Sequence, residues 1–256
     1  MIEMPNIMSE PVRVVLATIY DVVIDLGKET KDPAGFHHRF FGEMTRVELA
    51  MLKKKADVAL PVYHHPLPAM KTYRSLMCGA SIYDGLGDAK LRLRDYDTFE
   101  IRYWQCPYAG ICMERTPRIC LRTHALSEAA DLMSPTTFNE IEDLRFVEEG
   151  NCIVFVRVHF TGDLREIDTE DRVINERSCL HLTREEAETF MLRALMVGAE
   201  YACNHLPEVN VRQALRQMAE GIEAAGLDDR YFREYPFLKR GIKHWSKGKN
   251  AFTRHD

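Results

Sequence analysis

Apolar positions recur at helical spacing near the start of the chain. In VRVVLATIYDVVIDLG, Val15, Ile19, Val22, Val23 and Leu26 fall on one face of a 3.6-residue period. Ser9 stands where a cap is wanted, Pro11 suits a first turn and Gly27 is placed to stop the run, so a helix is expected over about 9–27. A second helix should open at Asp32-Pro33 and run to about Lys55. Its last turn, Lys53-Lys54-Lys55, complements the negative end of a helix dipole. The stretch ALPVYHHPLP holds three prolines and reads as a connector. A third helix is expected over about 69–83, closed by the GLG at 85–87.

The period changes in the middle of the chain. DAKLRLRDYDTFEIRYWQ splits at Asp95–Asp97 into two alternating runs, with Leu91 and Leu93 on one face and Lys90, Arg92 and Arg94 on the other. Phe99, Ile101 and Tyr103 alternate in the same way, which predicts a β-hairpin with one wet face. Thr116-Pro117 should open a helix to about Met133. Strands at about 142–148 and 152–160 follow, joined by a turn at Glu149-Gly150-Asn151, with Cys152, Val154, Val156, Val158 and Phe160 sharing a face. Thr183 and Glu186 form a capping box for a helix to about Asn204. A last helix is expected over about 209–225, ending at Gly226.

Together these elements predict an α+β fold. A mainly antiparallel sheet of about four strands, in two hairpins, is flanked by N- and C-terminal helices. No strong boundary interrupts the chain, so a single domain over 1–256 is expected. Its parts are a helical segment 1–84, a cysteine-bearing core 85–162 and a helical segment 180–256. The tail from Lys239 to Arg254 carries six Lys or Arg and no acid. It reads either as a solvated, frayed terminus or as a clamp for an anion or a second subunit.

Composition narrows the function classes. With 256 residues, 46% hydrophobic and 29% charged, the chain can bury a substantial core and is neither disordered nor fibrous. Its 34 Lys and Arg against 39 Asp and Glu give a net charge of −5. A chain holding nucleic acid by its phosphates would be basic, so no nucleic acid partner is expected. No basic segment followed by an apolar one opens the sequence, and residues 12–26 are too short and too charged to span a bilayer. The expectation is a cytoplasmic protein with no membrane partner, and a homodimer is the default assembly.

Seven cysteines then stand out, since thiols in a reducing compartment suggest metal binding or catalysis before disulfides. Cys106 ends a strand, Cys112 follows six residues later, Cys120 and His124 are four apart on the expected helix, and Cys152 opens the last strand. Thiolates with an imidazole are a usual shell for zinc, and for iron in some sites. The candidate metal ligands are therefore Cys106, Cys112, Cys120, His124 and Cys152. None of the spacings is a C-x-x-C pair, and buried cysteine also packs as a small hydrophobe, so both readings stand. Glu114 is a candidate general base, and Arg102 and Arg115 are candidates to grip a substrate carboxylate. Cys78, Cys179 and Cys203 read as structural, and the pairs His37-His38 and His64-His65 point apart. No nucleotide-binding glycine motif and no G-x-S-x-G elbow is present.

Three stretches resemble the L-2-amino-thiazoline-4-carboxylic acid hydrolase family: FEIRYWQCPYA at 99–109, ICLRTH at 119–124 and EGNCIVFVRV at 149–158. The layout is also similar to the 4-vinyl-reductase ligand-binding domain. The resemblance covers about residues 85–160. Thr123-His124 stand where the family has an acid, and Cys112 is extra. It implies hydrolytic opening of a small cyclic amidine carrying a carboxylate, a reaction at carbon–nitrogen bonds. A metal-bound water on the cysteines, or a Cys106 thiolate activated by a helix N-terminus or a cation, would attack. His124 or Glu114 would move protons and Arg102 would orient the carboxylate. The alternatives are a small-ligand-binding or redox-sensing module with a structural Cys/His metal site, and an iron–sulfur accessory protein.

Overall fold

The two kinds of period separate cleanly in a computed structural model of the chain. The structure describes residues 9–56, 60, 62–79, 89–95, 97–104, 106, 108, 111–112, 119–134, 137–146, 151–160, 183–206, 209–227 and 229–249. In chain order the elements are α1 (Glu10–Glu29), α2 (Pro33–Ala56), α3 (Pro66–Gly79), β1 (Ala89–Leu93), β2 (Thr98–Tyr103) and α4 (Leu121–Met133). Then come β3 (Thr137–Phe146), β4 (Cys152–Phe160), α5 (Arg184–Asn204), α6 (Val211–Ala224), α7 (Asp229–Glu234) and α8 (Pro236–Ser246). The fold is α+β, and its sheet is antiparallel in the order β1-β2-β4-β3.

Contacts along the backbone divide the chain into two compact units. Unit 1 comprises residues 1–7 and 48–187, and unit 2 comprises residues 8–47 and 188–256. The three consecutive segments expected from sequence do not coincide with this division, because residues from both ends of the chain meet in unit 2.

In unit 1 the sheet buries one face. Phe99, Ile101 and Tyr103 of β2 and Cys152, Val154, Val156 and Val158 of β4 are all at most 4% exposed. This is the alternation expected of a half-buried antiparallel sheet. Helix α4 lies against β3 and α3 lies against α4. Helix α4 is buried on almost every side, from Leu121 through Met133, as a helix in the middle of a core must be. The connector before α3 is tied down by the Tyr63 N–H, which donates to the Met133 carbonyl at 2.7 Å, and by a Tyr63–Thr72 hydroxyl pair at 2.5 Å. The capping box forms as expected: the Glu186 N–H donates to Thr183 Oγ1 and the Thr183 N–H to Glu186 Oε2.

Unit 2 packs α1 on α6, α6 on α8 and α7 on α8. Gly27 does not stop α1, which continues to Glu29. It is buried inside the helix because a Cβ there would lie 2.5 Å from His37 Nε2, so its role is close approach. Ser9 precedes α1 but makes no side-chain cap. Its hydroxyl donates to Glu188 and accepts from Tyr231. Gly226 does end the α6 segment, at φ +68°.

Other boundaries move. Helix α3 starts at Pro66, three residues early, because proline suits the first helical turn. The described helix runs to Gly79, and the GLG closure lies outside the described residues. Strand β3 starts at Thr137 and accommodates its greater length by a bulge between Ile141 and Asp143. The basic tail contains an ordered helix through Ser246. Leu238, Ile242 and Trp245 of α8 are buried at helical spacing, so its cations occupy the opposite face.

Candidate functional site

The site lies in unit 1, where the end of β2, the start of β4 and the N-terminus of α4 converge. Register places Tyr103 directly opposite Cys152. Opposed residues of an antiparallel pair share a face, so the phenol and the thiol both enter the core. Helix α4 begins later than the Thr116-Pro117 signal suggested, with Cys120 as its N-cap in extended conformation. Residues 113–118 lie outside the described ones.

This start changes the geometry of Cys120 and His124. A capping residue turns its side chain back over the helix end, where the first N–H groups lack intrahelical partners. Cys120 Sγ accepts from the Thr123 N–H at 3.4 Å. The expected i,i+4 stacking on one helical face does not apply, and His124 is half-buried with its N–H bonded to the Cys120 carbonyl. The Thr123 hydroxyl, fully buried, lies 3.2 Å from Cys120 Sγ and 3.1 Å from the Tyr103 hydroxyl. Arg122 places its guanidinium 4.5 Å from the centre of the Tyr103 ring.

Cys106, Cys112, Cys120 and Cys152 are free thiols, each at most 5% exposed. They lie within one another's electrostatic reach. Burial first, then the Cys120 and Cys106 sulfurs, push the Cys112 thiol well up, against a hydrogen bond from the Leu121 N–H. Burial and Cys106 push Cys120 up to about 11, with Thr123 and Arg122 opposing. Burial, Cys106 and Cys120 push Cys152 up to about 12, with Arg122 opposing. The α4 N-terminus thus receives two sulfurs, and an arginine two residues into the helix offsets part of the cost of ionising them.

A buried acid occupies the same unit. The Tyr73 hydroxyl donates to Glu48 Oε2 at 2.6 Å, and burial pushes the Glu48 carboxyl up to about 7. Tyr73 feels both Tyr103 and Arg122, and its phenol is held well above the ordinary tyrosine pKa chiefly by burial and Glu48.

The expected ligand set does not assemble as a metal shell. Among the described residues no group of three or more His, Cys, Asp or Glu is placed to hold a metal ion. The donors are soft enough for zinc or iron. Cys112 and Cys120 each accept a backbone N–H from the first turn of α4. Arg102, expected to grip a substrate carboxylate, lies away from the thiols. It neighbours Tyr103 in β2, and strand period 2 sends it to the outer face of the sheet, where it pairs with Glu100. His159 also lies on that outer face, 2.9 Å from Glu140. Glu114, Arg115 and Cys179 lie outside the described residues, as does the side chain of Cys78. Cys203 belongs to unit 2 and is fully buried.

Sequence reading missed Arg122, Thr123, Tyr73 and Glu48. Arg122 and Thr123 had a usable signal, since both follow Cys120 in what becomes the first turn of α4. Glu48 and Tyr73 had none, being ordinary positions of two helices.

No family model, no curated protein and no solved structure matches the chain.

Proposed function

We propose that the chain is a thiol-dependent hydrolase of a small cyclic amidine bearing a carboxylate, as the resemblance to the thiazoline hydrolases implies. The observation that carries this reading is the Cys120 sulfur at the α4 N-terminus. There Thr123 donates to it and Arg122 favours its charged form. A helix end and a nearby cation, the groups wanted beside a Cys106 thiolate, stand beside Cys120, where they offset part of the rise to about 11 that burial and Cys106 impose.

In this reading Cys120 Sγ adds to the amidine carbon. A ring bond to that carbon breaks, the departing heteroatom takes a proton, and water then displaces the sulfur. Arg122 replaces Arg102 as the cation that holds the carboxylate. Glu48, hydrogen-bonded to Tyr73, is the group that titrates near neutrality and exchanges protons. No step passes through a metal. The substrate is a small molecule, and the proposed setting is a cytoplasmic homodimer.

One observation favours a second reading, a redox-sensing or ligand-binding module. Three of the four thiols are held in the protonated form by burial, and Val154 and Val156 line the face that Cys152 joins. The two readings separate by assay. On the first, ring opening of 2-aminothiazoline-4-carboxylate is measurable, falls at least about 100-fold in Cys120→Ser, and a mechanism-trapped adduct maps to Cys120 by mass spectrometry. Absence of turnover in wild-type protein, with ligand-dependent thermal stabilisation instead, selects the second.

A further inference from the structure

The outer face of the sheet has no part in the thiol site, and its residues form a regular grid. Register aligns Lys90, Arg102, Ile153 and Arg145 in one row across β1, β2, β4 and β3. The next row is Arg92, Glu100, Phe155 and Asp143. A third places Thr98 beside Arg157 and Glu140. Directly opposed positions share a face, so these rows form one surface.

Charge on this surface is arranged, not merely present. Glu100 is 1% exposed although it lies on the wet face. It is covered by Arg94 and Arg102, whose guanidinium groups both bond its carboxylate while 40% and 45% of their side-chain surface stays open. Burial alone would raise the Glu100 carboxyl, but the two arginines outweigh it and hold it ionised below the usual carboxylate range. A sunken carboxylate thus fixes two outward-facing arginines, with Arg92 opposite in register. Lys90, Arg92, Arg145 and Arg157 are exposed around them. The middle of the grid is apolar: Ile153 and Phe155 are half-buried, and the Arg145 guanidinium lies 5.3 Å from the centre of the Phe155 ring.

A cationic rim around an aromatic centre on an open antiparallel sheet fits one kind of chain. We propose that this face binds single-stranded nucleic acid, with phosphates on the rim arginines and a base stacked on Phe155. The net charge of −5 describes the whole chain; in these rows and at Arg94 the six cations Lys90, Arg92, Arg94, Arg102, Arg145 and Arg157 stand against the three acids Glu100, Glu140 and Asp143. An acidic peptide would satisfy the rim but has no use for a half-buried aromatic under an arginine.

The test is fluorescence anisotropy of labelled 12-mer oligouridylate with the full chain. Binding in the range of about 10⁻⁴ to 10⁻⁶ M at 50 mM salt, weakening steeply by 200 mM, is expected. The Arg92→Glu/Arg157→Glu double variant should weaken it at least about tenfold, and Phe155→Ala about tenfold. Photocrosslinking of 4-thiouridine-containing oligomer to unmodified protein should label peptides spanning β2 or β4, a readout independent of whether a variant folds. No binding at 50 mM salt overturns the proposal, as does crosslinking confined to other peptides. Competition by polyglutamate at matched charge as effective as unlabelled oligouridylate overturns it in favour of an acidic protein partner.

Discussion

Both units give buried carboxylates their donors, as Tyr73 does for Glu48 in unit 1, but unit 1 also clusters thiols. Unit 2 gives its buried carboxylates dedicated donors. Glu188 accepts from the Ser9 N–H at 2.8 Å, from the Ser9 hydroxyl at 3.0 Å and from the Tyr235 hydroxyl. Glu200 accepts from Trp245 Nε1 at 2.5 Å. Buried polar groups satisfied in this way tie helices together and specify their packing. Unit 1 gathers four thiols, and the Cys106 and Cys120 sulfurs oppose the ionisation of their neighbours. A cluster of that kind contributes little to holding a fold. Its partial compensation by a helix end and by Arg122 is what the proposed thiol chemistry draws on.

The comparison is most exposed to failure at Trp245. This side chain is fully buried and supplies the donor for Glu200. Trp245→Ala should cost about 4 kcal/mol through lost packing, and more to the extent that the carboxylate stays buried without its donor. Urea unfolding of wild type and variant measures it. A loss below about 1 kcal/mol would mean that α8 is peripheral to unit 2, and that its polar pairs do not specify packing.

That helix also shows what the sequence hid. Counting charges from Lys239 onward suggested a frayed terminus, while Leu238, Ile242 and Trp245, at i, i+4 and i+7, were in plain view. A face-by-face reading would have found it. The sheet was legible because period 2 is unambiguous when one face is buried: Phe99, Ile101, Tyr103 and Val154, Val156, Val158 fixed both faces. The same rule already placed Arg102 away from Tyr103. The start of α4 was not legible, since cysteine is outside the usual capping residues and Pro117 offered a stronger false start. Four site cysteines were found by residue type. The expected pairing of Cys120 with His124 fell with that misplaced start, because a cap and a mid-helix position aim a side chain in different directions.

A pH titration sharpens the contrast from the side of unit 1. The Glu48 carboxyl titrates at about 7 when folded, against an ordinary value near 4.3 in an unfolded chain. Between those values the folded state holds a proton that the unfolded state has released, so raising pH favours unfolding. Stability should therefore fall by about 3 kcal/mol from pH 4.5 to pH 7 on this account and level off above. Glu48→Gln cannot ionise and should lack that decline. Denaturation curves for both proteins across pH 4–8 decide the matter: parallel dependences would show that Glu48 is no titrating group of the site.

The smallest effect on stability makes the sharpest distinction between the units. Cys203 is fully buried beside Glu200, with its thiol pushed up to about 12 by burial and then by that carboxylate. Cys203→Ala removes one sulfur from a packed interior and should cost about 1 kcal/mol. Cys120→Ala removes a helix cap and should cost about the same. Two substitutions of equal thermodynamic weight are then expected to part company in chemistry. Native iodoacetamide labelling should be slow at both buried thiols, and should climb with pH sooner at Cys120, pushed up to about 11, than at Cys203, pushed up to about 12, since only the thiolate reacts. Turnover should survive the first substitution and vanish with the second. If both variants keep activity, or both lose it, the thiols of the two units are alike and the assignment of chemistry to the α4 N-terminus falls.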